Sequence, residues 1–335
     1  MKTIFISLTV LLTLFVASCR KDEINKFDGP SLAENYGKFA IIDSLVVSRD
    51  SVDFSAGETV YFTAAVNKTS DWKIKITGMS SGAIKEITGL GKDITLNEAT
   101  WNGSITQFPM FKSEWCSVQL TFTGEDDTLN KMVKVIQPKV NQGYVIADFE
   151  SGFNSGWGSF IQSGANMDFQ IHTDNFAPQQ NSYLNMAGTV NWDWLIGMYN
   201  FKASADGHVV FPLSSNPNAL YFNAMVYGEP GLVNSLVLFR FQEDENADGT
   251  FTAASEDEYS YQVTVNWVGW KLISIKYADI QALVNGSPSM PNGNQTHNPD
   301  KITQVDMLHL ANPASGFASA KLDYIIFTEN TPLIP

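Results

Sequence analysis

The chain has 335 residues, 44% of them hydrophobic, and 35 acids against 21 bases give it a formal net charge of −14. Its length admits two domains, and its composition is that of globular rather than disordered material. A chain this acidic, with no basic stripe, repels phosphate backbones, which argues against nucleic acid as a partner. The two cysteines, Cys19 and Cys116, are too few for a cysteine-built zinc site.

The chain opens with Lys2 and an apolar run from Ile4 to Phe15, too short to span a bilayer comfortably, followed by Val16-Ala17-Ser18-Cys19. A charged start, an apolar middle and small residues before a cut are the layout of a secretory signal. The cysteine at the cut resembles the lipobox of bacterial lipoproteins. By that resemblance residues 1–18 are a signal peptide, and Cys19 receives a diacylglycerol and becomes the mature N-terminus. Arg20-Lys21-Asp22-Glu23 resembles the export tag of Bacteroidetes surface lipoproteins, which implies lipid anchoring in the outer membrane, facing the exterior. The alternative is an ordinary secreted protein whose cysteine fell there by chance. Residues 19–36 are polar and aperiodic, as expected of a tether. No later apolar run approaches twenty residues, so lipid rather than a helix would hold the chain to a membrane.

From Phe39 the chain reads as short strands. Val60, Phe62, Ala64 and Val66 alternate with more polar neighbours, as do Trp72, Ile74 and Ile76, and Cys116, Val118 and Leu120 share one strand face. Cys116 is therefore expected to be a buried structural thiol rather than a nucleophile. The block 37–138 resembles the immunoglobulin-like modules that precede ligand-binding domains in bacterial surface lipoproteins, on strand spacing and a core-type Trp72, which implies a spacer.

Pro138 to Gly143 marks a boundary, and a second β-rich region fills 144–335. Strands are expected over Leu220–Tyr227, Leu236–Gln242, Tyr259–Trp267, Trp270–Tyr277, Val305–Leu310 and Lys321–Phe327, with one short helix near Ala278–Val284. Eight or more strands in this length fit a jelly roll, so the fold class is all-β throughout. Val145-Ile146-Ala147-Asp148-Phe149-Glu150, Gly269-Trp270-Lys271-Leu272-Ile273-Ser274-Ile275 and Leu322-Asp323-Tyr324-Ile325-Ile326-Phe327 together resemble the galactose-binding-like jelly rolls of family-11-type carbohydrate-binding modules and of surface glycan-binding lipoproteins. That resemblance implies polysaccharide capture for an outer-membrane uptake system, with a glycan transporter complex as partner. It further implies a structural calcium involving Asp148, Glu150 and Asp323.

Pyranose rings present apolar C–H faces, so sugar sites pair aromatic platforms with planar polar groups. Trp192 and Trp194, in Asn191-Trp192-Asp193-Trp194, point the same way in an extended segment with about 7 Å of rise between them. They either stack along a sugar chain or fill the sandwich core, and loop-borne Trp157 either joins them or does the same. Trp267 and Trp270 bracket a turn and read as core. With Val237, Phe239 and Phe241 facing the core, Arg240 and Gln242 face outward; Arg240 then meets sugar oxygens or pairs with an acid such as Glu243. Leu308 and Leu310 likewise leave His309 facing out, as a ligand contact or a tolerated surface residue. Asp244-Glu245-Asn246-Ala247-Asp248-Gly249 matches half of an EF-hand loop, so Asp244, Asn246 and Asp248 are candidate calcium ligands, or else a solvated acidic turn.

A glycoside hydrolase is open on composition, but no acid sits in a recognisable catalytic segment, and no Gly-x-Ser-x-Gly elbow or His-Glu-x-x-His helix is present. A polysaccharide lyase needs cationic neutralisation and a base, which three arginines and four scattered histidines serve poorly. A surface adhesin is the third class. The reading is a non-catalytic glycan binder.

Overall fold

A computed structural model describes residues 37–190, 195–311 and 316–335. The described chain is all-β, its helical content limited to four 3-10 turns of three or four residues. Among the described residues no helix is long and apolar enough to cross a membrane.

Seven strands come first: β1 (Ile41–Val47), β2 (Ser51–Asp53), β3 (Val60–Gly78), β4 (Ile84–Ile94), β5 (Thr100–Trp101), β6 (Glu114–Phe122) and β7 (Thr128–Gln137). The two alternating runs seen in the sequence join into the single 19-residue β3, which pairs with β1, β4, β5 and β6 along its length. Its inward residues, from Val60 to Ile76, share one core with Trp101, Cys116, Val118 and Leu120. Trp72 belongs to that core, and directly across from it in β4 lies Gly89, where a Cβ would fall 2.2 Å from the indole ring. Only glycine leaves room for that ring. Cys116 has no exposed area, and burial together with nearby Glu114 pushes its thiol far above the ordinary range, so it is inert.

The remaining strands are β8 (Tyr144–Ala147), β9 (Gly158–Ile161), β10 (Asn166–Thr173), β11 (Ser182–Thr189), β12 (Leu195–Lys202), β13 (Leu220–Gly228), β14 (Ser235–Glu243), β15 (Glu258–Val265), β16 (Gly269–Lys276), β17 (Leu283–Val284), β18 (Ser287–Pro288), β19 (Ile302–Ala311) and β20 (Phe317–Glu329). Apart from β17 and β18, which pair only with each other, they build two facing antiparallel sheets, ordered β10-β11-β20-β13-β16 with β8 beside β20, and β15-β14-β19-β12-β9. Most successive strands cross from sheet to sheet, with the β10–β11 and β14–β15 pairs each staying within one sheet, the wiring of a jelly roll. Phe201, Phe222, Phe239, Phe241 and Phe327 fill the space between them. The helix expected near Ala278–Val284 does not form. Asn285 and Gly286, both at positive φ, instead close a two-residue hairpin between β17 and β18. The Asn-Gly turn signal outweighs the weak helical pattern before it.

One outer face of this sandwich is covered. Met225, Tyr324 and Ile326 pack with Met110 of the N-terminal unit and with Leu333 of the C-terminal tail. Backbone bonds from Met110 to Pro178 (2.7 Å) and from Ile105 to Pro335 (3.0 Å) fasten the seam. A cleft of about 650 Å³ lies along it, lined by the 139–144 segment and the tail. Among the described residues, no hydrophobic cluster joins the outer face of the other sheet to the N-terminal unit, but the β17–β18 hairpin lies over its β15 end, where Gly286 approaches the solvent-sealed Gln262 Oε1.

Candidate functional site

The free face is set by strand phase. In β14, Val237, Phe239 and Phe241 enter the core, which turns Leu238, Arg240 and Gln242 outward. In β19, Val305 and Met307 enter the core and turn Asp306 and Leu308 outward. Register then aligns two rows across the sheet. A polar row runs Gly158, Asn200, Asp306, Arg240, Ser260, and an apolar row runs Phe160, Met198, Leu308, Leu238 and ends on the polar Gln262. Gln304, Gln242 and Glu258 extend the polar side by one further row. Five strands span about 19 Å, the length of a short sugar chain rather than of a single ring.

Asp306 organises the polar row. Its carboxylate has no exposed area and accepts from Asn200 Nδ2 (2.5 Å) and Gln304 Nε2 (2.6 Å) at Oδ1. At Oδ2 it accepts from Arg240 Nε (2.8 Å), Arg240 Nη2 (2.6 Å) and Gln242 Nε2 (3.3 Å). Glu258 Oε2 accepts from Gln242 Nε2 (3.1 Å) and lies 3.4 Å from Arg240 Nε. Burial raises the Glu258 carboxyl above the ordinary range, and Arg240 and Gln242 oppose that rise. Arg240 keeps 27% of its side chain exposed, and among the described residues its Nη1 makes no hydrogen bond. The outcome is a fixed guanidinium and three oriented amides beside apolar side chains, with Phe160 43% exposed at the edge.

The expected site residues fare unequally. Arg240 faces outward, but its partners are Asp306 and Glu258; Glu243 lies on the opposite side of β14 and is fully buried. His309 is a correction. It follows Val305 and Met307 into the sandwich, has no exposed area, and cannot touch a ligand on the free face. β19 is apolar on both sides, so Leu308 and Leu310 gave a false phase. Burial lowers the His309 pKa to about 4, and neither ring nitrogen meets a partner of hydrogen-bond geometry; the nearby Ala318 backbone offsets the shift only in part. Trp157 packs edge-on against Phe149, Tyr199 and Phe201, and is half-buried at the rim of the core rather than displayed on the free face. Trp192 and Trp194 lie outside the described residues, as does Cys19. Trp267 is half-buried against the core, whereas Trp270 packs at the seam and donates to Phe176 O (2.9 Å).

Of the calcium candidates, Asp244 is buried while Asn246 and Asp248 are exposed. Their oxygens cap the loop's own amides: Asp244 accepts from Asp248 N (3.2 Å) and Gly249 N (2.7 Å), Asn246 from Asp248 N (2.8 Å), and Asp248 from Thr250 N (2.9 Å). Asp323 is fully buried; its Oδ1 accepts from Tyr324 N (2.7 Å) and its Oδ2 has no partner. Burial drives its carboxyl far up, and the charges of Glu150 and Asp148 add to the rise. Glu150 Oε1 accepts from Asn181 N and Ser182 N, and the buried Gln179 Oε1 also lacks a donor. Asp323 Oδ2 and Gln179 Oε1 are thus buried acceptors without a donor, with the Asp148 and Glu150 carboxylates charged nearby.

Sequence reasoning missed Asp306, Glu258, Gln304 and Asn200; Gln304 meets Asp306 from two residues away on β19, and the others converge only through cross-strand register. The one local signal is a polar residue set between apolar or aromatic neighbours, and it marks Asn200 and Asp306 alone.

Fold and site together define an all-β chain ending in a jelly roll with one free face carrying a polar and an apolar row. No family model matches the chain, and no curated protein matches it. Similar solved structures include the family 11 carbohydrate-binding module of the cellulosomal cellulase Lic26A-Cel5E of Clostridium thermocellum, at 16% identity and a TM-score of 0.39, over 57% of this chain and 96% of that one. A family 30 carbohydrate-binding module is similar at 16% identity and a TM-score of 0.40, over 56% of this chain and 89% of that one. The tandem CBM22-1–CBM22-2 domain of Paenibacillus barcinonensis Xyn10C is similar at 10% identity and a TM-score of 0.34, over 87% and 92%.

Proposed function

We propose that this chain binds a polysaccharide or oligosaccharide without cleaving it, on the free face of the β15-β14-β19-β12-β9 sheet. The supporting observation is the Arg240–Asp306 row. A guanidinium and amides fixed by one shared carboxylate offer paired donors and acceptors to vicinal hydroxyls. The adjacent apolar row, ending in exposed Phe160, suits the C–H face of a pyranose. Trp192 and Trp194 remain proposed platforms on sequence grounds, and the ~19 Å run of the rows favours a chain polymer.

The same face disfavours a glycosidase. That chemistry needs two carboxyl groups free to act on one bond. Asp306 is buried with both oxygens occupied, which leaves, among the described residues of these rows, only Glu258 partly open to solvent. In affinity electrophoresis over a glucan, xylan and mannan panel, with a reducing-sugar assay alongside, retardation without sugar release is expected. Release would support an enzyme, and neither result would support an adhesin.

The reading includes a lipid on Cys19, a tether over 19–36 and an immunoglobulin-like spacer over 37–138. These would present the jelly roll outside the outer membrane, next to a glycan transporter. The full chain should then partition with membranes and a Cys19→Ala chain should not; equal partitioning would remove the anchor. Calcium is proposed at Asp148, Glu150 and Asp323, where it would supply structural cross-linking only. Calcium-dependent slowing of amide exchange at Asn181 and Ser182, both held by Glu150, is its expected mark, and exchange there indifferent to calcium would exclude it.

A further inference from the structure

A second acidic constellation lies beside the β14–β15 turn. One carboxylate oxygen from each of Glu243, Glu245 and Asp257 falls within 4.8 Å of the others. Glu243 and Asp257 have no exposed area, and no lysine or arginine among the described residues pairs with any of the three. The segment after β18 folds over them. Asp257 accepts from Gly293 N (2.5 Å) and Gln295 N (2.7 Å), Glu245 from Asn294 N (3.2 Å to each oxygen), and Glu243 from Asn298 N (2.8 Å) and the Tyr277 hydroxyl (2.7 Å). At Gly293 a Cβ would fall 2.0 Å from Glu245 Oε2 and 2.8 Å from Asp257 Oδ1, so only glycine permits this approach.

A distinct feature points to a ligand. Both donors to Glu243 are spent on Oε1, and Oε2, sealed from solvent, has no hydrogen-bond partner among the described residues. The charges facing that carboxylate are Asp257 and Glu245, both negative. A buried acceptor without a donor is costly, and three crowded carboxylates multiply the cost unless a cation neutralises them. Opposite oxygens on one calcium shell, at 2.3–2.6 Å from the ion, stand about 5 Å apart, which accommodates the observed spacing. Three carboxylates from a turn and a loop suit calcium's irregular coordination better than magnesium's rigid octahedron.

We infer that Glu243, Glu245 and Asp257 form a calcium site that clamps residues 292–298 onto the β14–β15 turn. The site is distinct from the Asp244, Asn246 and Asp248 set and from the Asp148, Glu150 and Asp323 set, and it does not depend on glycan binding. The loop donates to all three carboxylates, so losing the ion leaves like charges repelling beneath it and frees its amides.

The test is hydrogen exchange over residues 292–298 of the full chain, in excess calcium, in excess magnesium and in chelator. Calcium is expected to slow exchange there by about tenfold or more relative to chelator. In Glu245→Gln, and independently in Asp257→Asn, the loop should exchange at the chelated rate whether or not calcium is added, while Asp248→Asn keeps the calcium effect. If calcium does not slow the loop in the parent chain, the site does not exist, and this arm decides even if a variant fails to fold. Magnesium acting as well as calcium, a calcium effect that survives both carboxylate substitutions, or one lost in Asp248→Asn alone would equally overturn it.

Discussion

Asp306→Ala is expected to lower unfolding stability by about 3 kcal/mol and to abolish glycan retention together with it. Asp306 is buried and accepts from Arg240, Asn200, Gln304 and Gln242, so its loss strips four oriented side chains of their common acceptor. Breaking a fully buried ion pair costs roughly 3–5 kcal/mol. The low end applies here, because Arg240 keeps 27% exposure and still has Glu258 at 3.4 Å. Asp306→Asn keeps the shape and one carbonyl acceptor and should cost less. Urea denaturation of both variants checks this, and a loss below about 1 kcal/mol in Asp306→Ala would mean that the carboxylate does not organise the row.

His309 carries the second large effect, as a dependence on pH. Its pKa is lowered to about 4 in the fold against 6.5 when unfolded, so the neutral ring is the form the core accepts. The stability it contributes is fully present above pH 6.5 and is lost as pH falls through about 4, because the unfolded chain takes up the proton first. The shift corresponds to about 3 kcal/mol at its limit. His309→Leu removes the titration and two buried nitrogens that lack partners, so it should be neutral or stabilising near pH 7. The difference in stability between His309→Leu and the parent should therefore widen, in favour of leucine, as pH falls from 6.5 to 4. A constant difference across that window would refute the buried neutral histidine.

Much of the strand pattern is legible in the sequence, because half-buried strands alternate and the turns are marked by Gly, Asn and Asp. Leu220–Tyr227 and Leu236–Gln242 fall within one residue of β13 and β14 at each end. Arg240 is legible for the same reason, since the three apolar residues at 237, 239 and 241 leave one phase for it. His309 is illegible because β19 is apolar on both faces, and its phase is fixed only by what it meets across the sandwich. Asp306 carries as its only local signal its polarity between Val305 and Met307; its partners Asn200, Arg240 and Gln242 come from β12 and β14, more than 60 residues away in sequence. In the acidic turn, the EF-hand spacing picks out Asp244, Asn246 and Asp248, whose oxygens largely close the turn itself. The tight carboxylate group is built from Glu243 and Glu245 on either side of Asp244, joined by Asp257 beneath the loop at 292–298. No spacing rule anticipates that convergence.

Affinity electrophoresis of Arg240→Met beside the parent, over the same polysaccharide panel, bears most directly on the binding face. Methionine keeps the apolar stem of Arg240 and removes the guanidinium. The expected result is retardation of the parent by at least one polysaccharide, no release of reducing sugar, and loss of that retardation in Arg240→Met at an unchanged far-UV circular dichroism spectrum. Retardation of the folded variant equal to the parent's, or a parent retarded by none of the polysaccharides, would contradict glycan binding on this face.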